Sequence, residues 1–162
     1  MGLSCQQLRL HVVRPTLTAL GLWSEAAENL VLGTAAHESG GFRWIDQVTG
    51  PNDEILGPAY GLYQIEPATH DDLWKNFLSF RGPLASRARK FLAEEPSDVR
   101  QLATNLAYAT AICRLLYYRR PEPLPAADDL PALGAYYKAH YNTPLGKGTA
   151  AEWIENYRRY VA

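Results

Sequence analysis

Residues 24–42 read SEAAENLVLGTAAHESGGF, and the fold is decided by how this stretch is read. Ser24 is a residue type whose side-chain oxygen caps the unpaired amides at a helix start. Glu25 and Glu28 follow where negative charge suits the positive end of a helix. On a helical projection Ala27, Leu30, Val31, Thr34 and Ala35 form one apolar face. Gly40 and Gly41 then stop the helix. Glu38 falls on the apolar face, at the helix end. Burial and the negative end of the helix both disfavour an ionised carboxylate there, so a proton is held near neutral pH, as a general acid requires. On the pattern alone a second reading stands beside it, a Glu that reaches solvent or pairs with Arg43.

Outward from this helix, apolar spacing predicts helices over most of the chain. Ser4 with Gln7 fits a capping box, and Leu3, Leu10, Val13 and Leu17 are expected on one buried face, with Pro15 forcing a kink or break near 13–14. From Phe42 to about Pro67 the pattern changes. Gly50-Pro51, Asn52-Asp53, Gly57-Pro58 and Gly61 are turn signals between short apolar runs, so an irregular lobe with a two- or three-stranded hairpin is expected. Helices are expected again at 67–76 and 83–94, then a long one over 97–117 with Leu102, Leu106, Ala109, Cys113 and Leu116 inward. A proline-rich connector follows from Arg119 to Pro125, and two last helices span 128–141 and 149–161. The expectation is one mainly α domain over residues 1–162, a helical body with a loop or short β-hairpin lobe.

Three segments in order carry a resemblance: His37-Glu38-Ser39-Gly40-Gly41-Phe42, then Gly61-Leu62-Tyr63-Gln64-Ile65, then Lys138-Ala139-His140-Tyr141-Asn142-Thr143. Together they resemble the signatures of the soluble lytic transglycosylase family, within the lysozyme-like superfamily, over roughly residues 30–148. Two positions depart from the family pattern: Tyr63 stands where Met is familiar, and Tyr141-Asn142 runs into Thr143-Pro144 rather than Ala-Gly.

The resemblance implies a lysozyme-like fold and cleavage of the MurNAc–GlcNAc β-1,4 bond of peptidoglycan, with 1,6-anhydro ends. It implies Glu38 as the catalytic acid and base, and Ser39, Gln64, Tyr63, Tyr141 and Asn142 as substrate-binding residues, with Gln64 and Tyr63 on the groove wall and Ser39 shaping the site. It also implies that Tyr141 hydrogen-bonds Glu38 and that Asn142 supports the turn nearby. A hydrolytic muramidase on the same fold stays open, because Asp46, Asp53 and Glu54 lie in the lobe that would face Glu38 and hydrolysis needs a second carboxylate. A virion protein that binds peptidoglycan without cleaving it is the third reading.

Bulk properties narrow the partners. Sixteen basic and seventeen acidic residues give a formal charge of −1, without the basic excess of a typical nucleic-acid binder. No apolar run is long enough to span a bilayer. His37, His70 and His140 have no metal-ligand spacing, Gly146-Lys147-Gly148-Thr149 lacks the strand and upstream glycine of a phosphate loop, and Cys5 and Cys113 read as buried free thiols. No metal or organic cofactor is expected. The N-terminus lacks the pattern of a secretory signal, so synthesis in the cytoplasm is expected, with action in the periplasm or cell wall. Carriage with components of a phage particle would reconcile the two, and residues 61–72 have the flavour of small phage-borne relatives.

Overall fold

The computed structural model describes residues 3–49, 55–142 and 146–162. Asn52, Asp53, Glu54 and the Thr143-Pro144 turn, all of which entered the sequence reading, lie outside the described residues. The chain is mainly helical, with one two-stranded antiparallel sheet among those residues.

The N-terminal helix is continuous through Pro15 but changes register. Helix α1 (Cys5–Leu8) passes into a π-helical segment, Arg9–Val13, and then into α2 (Arg14–Leu20). The Arg14 amide donates to the Arg9 carbonyl, five residues back. The expected interruption is therefore a widened turn rather than a break. The extra residue rotates the buried face, so Leu8, Val13, Leu17 and Leu20 enter the core. Leu3 and Leu10, expected inward, are about half exposed.

Helix α3 (Glu25–Glu38) begins at Ser24, whose hydroxyl accepts from the Ala27 amide at 3.1 Å. It is buried on every side from Ala27 to Ala36, not along one face as expected. Gly33 explains part of this: the indole of Trp153 lies so close that a Cβ at position 33 would overlap it. Thr34 bonds the Tyr117 hydroxyl at 2.7 Å. Glu28, read in the sequence as a dipole partner, is a buried carboxylate held by Arg9, Arg14 and Trp23.

Strands β1 (Asp46–Thr49) and β2 (Ile55–Tyr60) form the hairpin lobe, with Asp46 opposite Tyr60 and an irregularity between Asp46 and Val48. Helix α4 (Pro67–Asn76) coincides with its expected bounds. Helix α5 (Gly82–Arg89) stops short of 94 because the following loop is organised by a buried side chain. The amide of Gln101 bonds both backbone groups of Ala93 and the carbonyl of Pro96.

The long helix expected over 97–117 is divided. Helix α6 (Gln101–Thr104) and α7 (Leu106–Tyr118) are separated by Asn105, which is extended at φ −126°, ψ 96°. Its side chain caps the Tyr108 amide at 3.0 Å and donates to the Phe91 carbonyl at 2.7 Å, bonds a continuous helix would not allow. Helix α8 (Leu130–Tyr137) continues as a second π-helical segment, Lys138–Asn142, and α9 (Ala150–Tyr160) closes the chain behind a capping box of Thr149 and Glu152. One buried apolar cluster runs from Leu8 to Trp153. No helix among the described residues is long and apolar enough to cross a membrane.

Candidate active site

Glu38 is placed by the way α3 ends. The Ser39 hydroxyl donates to the Ala35 carbonyl at 2.6 Å and accepts from the Phe42 amide at 2.8 Å. Gly40, Gly41 and Phe42 then adopt three consecutive left-handed conformations, at φ 62°, 79° and 62°. The chain reverses, and Glu38 is left at a cleft of about 720 Å³. Ser39 itself has no exposed surface, so it builds this turn and does not reach a ligand, which corrects its placement among the substrate-binding residues.

Among the described residues one hydrogen bond holds the acid. The Tyr137 hydroxyl donates to Oε1 of Glu38 at 2.6 Å. Burial raises the Glu38 carboxyl, the Tyr137 bond opposes that, and burial wins, pushing it up to about 7. Such a group can both give and take a proton near neutral pH. Tyr137 is fully buried, stacked on Trp153 at 6.1 Å and met edge-on by His37 at 5.2 Å, which fixes its ring.

The role expected of Tyr141 therefore belongs to Tyr137. Tyr141 lines the cleft, but its hydroxyl donates to the Tyr63 carbonyl at 2.6 Å and its ring stacks on Tyr117 at 5.1 Å. The cause is the π-helical register of Lys138–Asn142, which turns Tyr141 away from the position an α-helix would give it. Tyr137 and Tyr141 stand four residues apart, so helical periodicity puts both on one face and does not choose between them.

The second segment divides between core and cleft. Gly61 makes the turn at φ 77°, packed against the Leu102 carbonyl where no Cβ fits. Tyr63 points inward, fully buried, with its hydroxyl 2.8 Å from Thr110. Its expected place on the groove wall is corrected accordingly. Gln64, left-handed at φ 47°, lines the cleft and donates from Nε2 to the Gly61 carbonyl at 2.8 Å. Asn142 also lines the cleft; it donates to the Tyr137 oxygen at 3.1 Å and accepts from Lys138 at 2.7 Å.

Several cleft residues escaped the sequence reading. Trp44 lines it, with the Arg43 guanidinium 4.4 Å over the indole, and offers a flat apolar surface. Glu66 lines it, as does Asp46, giving two carboxylates besides Glu38 among the described residues. Glu66 directly follows the Gly61–Ile65 segment, and that adjacency was its only signal. Arg119 and Arg120, read as the start of a connector, and His140 also line it. Arg119 is paired with Asp72 at 2.7 Å.

Cys5 and Cys113 are free thiols. Cys113 is buried and its thiol is pushed well up by that burial, whereas Cys5 is only half-buried, short of the expected burial. Among the described residues no cluster of three or more His, Cys, Asp or Glu side chains could hold a metal ion. No protein-family model, curated protein or solved structure matches the chain.

Proposed function

We propose that the protein is a lytic transglycosylase of lysozyme-like fold that cleaves the MurNAc–GlcNAc β-1,4 bond of peptidoglycan. The observation that carries this is Glu38: a carboxyl raised to about 7, on an open cleft, with a hydrogen bond from a fixed phenol. Supporting it are the helical body, the hairpin lobe beside the cleft, and the presence of Gln64, Tyr141 and Asn142 on its walls.

Glu38 gives its proton to the glycosidic oxygen as the bond from C1 breaks. The carboxylate so formed takes the proton of the C6 hydroxyl on the same muramoyl sugar, and that oxygen closes on C1. No water is consumed, the product carries a 1,6-anhydro ring, and Glu38 ends protonated for the next turnover. The Tyr137 bond strengthens as charge develops on Glu38, because a hydrogen bond to an ionised acceptor is stronger than one to a neutral acceptor.

A hydrolytic muramidase is the second reading, favoured by Asp46 and Glu66 on the same cleft. Either would stabilise the sugar cation, attack it, or activate water. The substrate in both readings lies outside the cytoplasmic membrane, and the proposal includes delivery to the wall with a phage particle.

The test is mass spectrometry of fragments released from purified peptidoglycan sacculi by the native protein and by Glu38→Gln. Fragments one water lighter than reducing forms, lost in the variant, are expected. Reducing-end fragments would make the protein a muramidase, and no release by the folded native protein would sink both.

A further inference from the structure

The hydrogen bonds behind Glu38 have a fixed direction. Lys138 donates from Nζ to Oδ1 of Asn142 at 2.7 Å and to the Gly146 carbonyl at 2.8 Å. An ammonium donates only, so the amide of Asn142 must turn its oxygen to Lys138 and its nitrogen the other way. That nitrogen donates to the Tyr137 oxygen at 3.1 Å. A phenol that accepts from Asn142 keeps its own proton for another acceptor, and Oε1 of Glu38 stands at 2.6 Å. Among the described residues no protein group bonds Oε2 of Glu38.

We infer that Lys138 is a positioning residue for the acid: through Asn142 it sets the direction of the Tyr137 hydroxyl, so Oε1 of Glu38 only accepts and Oε2 carries the acidic proton. The inference rests on reading Glu38 as the acid. Lys138 and Asn142 are the two ends of the π-helical segment, four residues apart, and their side chains meet across its turn.

The relay gives one proton-bearing oxygen instead of two interchangeable ones. It also aims a donor at the carboxylate that remains after the proton has left. Without Lys138 the Asn142 amide is free to turn its oxygen to Tyr137. The phenol then donates to Asn142 and accepts from Glu38, which favours the protonated acid and raises its titration midpoint.

Other groups facing Glu38 are Tyr141 from the same π segment and Tyr117 and Cys113 from α7. On α9, Glu152 acts on both Tyr137 and His37. The displacement of the Glu38 carboxyl has two causes, burial and the Tyr137 bond.

The experiment is an NMR titration of the Glu38 carboxyl carbon in the native protein, Lys138→Met, Tyr137→Phe and the double variant. Lys138→Met is expected to raise the midpoint by about one pH unit, the scale of one hydrogen bond to a charged group. The rise should vanish when Tyr137 is Phe, and equally when Asn142 is Leu. A midpoint unmoved by Lys138→Met, or a rise that persists in the Tyr137→Phe background, would overturn the relay. On sacculi, Lys138→Met should lower kcat and leave KM in place. A native protein that titrates as expected but releases no fragments would defeat the proposed activity and leave the relay standing.

Discussion

The phenol of Tyr137 meets Oε1 of Glu38 at 2.6 Å, while Tyr141, from the π-helical segment that follows, spends its hydroxyl on the Tyr63 carbonyl at the same distance. Two tyrosines four residues apart, one fully buried and one partly buried, thus act on different things, one on the acid and one on the backbone of the turn that carries Gln64.

Tyr137→Phe removes a bond that favours the Glu38 carboxylate, so the acid should titrate above its native value of about 7. The alkaline limb of activity should move up with it, and kcat should fall by about tenfold. Tyr141→Phe leaves that bond intact, strands the Tyr63 carbonyl, and should cost about 1–3 kcal/mol of stability with no change in the pH profile. Equal displacement of the profile by both variants would refute the division of roles.

Glu38→Gln should stabilise the protein at alkaline pH. The carboxyl holds its proton to about 7 in the folded chain against 4.5 as the ordinary value, so the folded state binds more protons between these limits. Native stability therefore falls as pH rises from about 4.5 to about 7, by an amount of order 3 kcal/mol. Thermal unfolding should find the variant ahead at pH 8 and level with the native protein at pH 4. A variant that is no more stable at pH 8 would mean that Glu38 is not strained by its site.

Glu28 should dominate the acid limb of stability. Burial alone would raise its carboxyl, yet bonds from Arg14, Trp23 and Arg9 together outweigh burial and hold it at about 2. Its contribution is complete above the ordinary carboxylate range and is lost as pH falls from about 4.5 through about 2. Glu28→Ala leaves two arginines facing a buried site and should cost about 3–5 kcal/mol near neutrality. Denaturant unfolding at pH 7 and pH 3 checks this: the gap between native and variant should shrink at the lower pH.

Gly33→Ala should destabilise by about 1–3 kcal/mol or more, although alanine is the better helix former. The added methyl would overlap the Trp153 indole, which is fully buried and stacked on Tyr137. The displaced indole should also loosen Tyr137, so the variant should lose activity beyond its loss of fold. Unchanged unfolding temperature and unchanged activity would show that α9 can shift to admit the methyl.

Much of the fold was legible because its signals are local. The Ser24 cap, the Gly40-Gly41 stop, the Gly61 turn and Pro67 at the start of α4 act within a few residues of where they stand, whereas Gly57-Pro58, read as a turn signal, lies inside β2. The break at Asn105 was hidden, since the apolar spacing runs through it and its partners, Phe91 and Gln101, are set by the packing of a neighbouring loop. The buried carboxylate of Glu28 was hidden for the same reason: its cations come from Arg9 and Arg14, brought round by a π turn that no pattern announces.

In the site, sequence alone determined that Glu38 would stand at a helix end, with an inward and a solvent-facing reading both open, and that Gln64 would follow a glycine turn. Helix periodicity and glycine conformation are properties of the local chain, and they suffice for that. Only the tertiary structure decided which tyrosine meets Glu38, that Tyr63 and Ser39 turn inward, and that Trp44, Glu66 and Arg120 share one cleft. Those choices depend on a one-residue change of helical register at Lys138–Asn142 and on segments about a hundred residues apart packing against α3. Neither is encoded in the spacing of any single element.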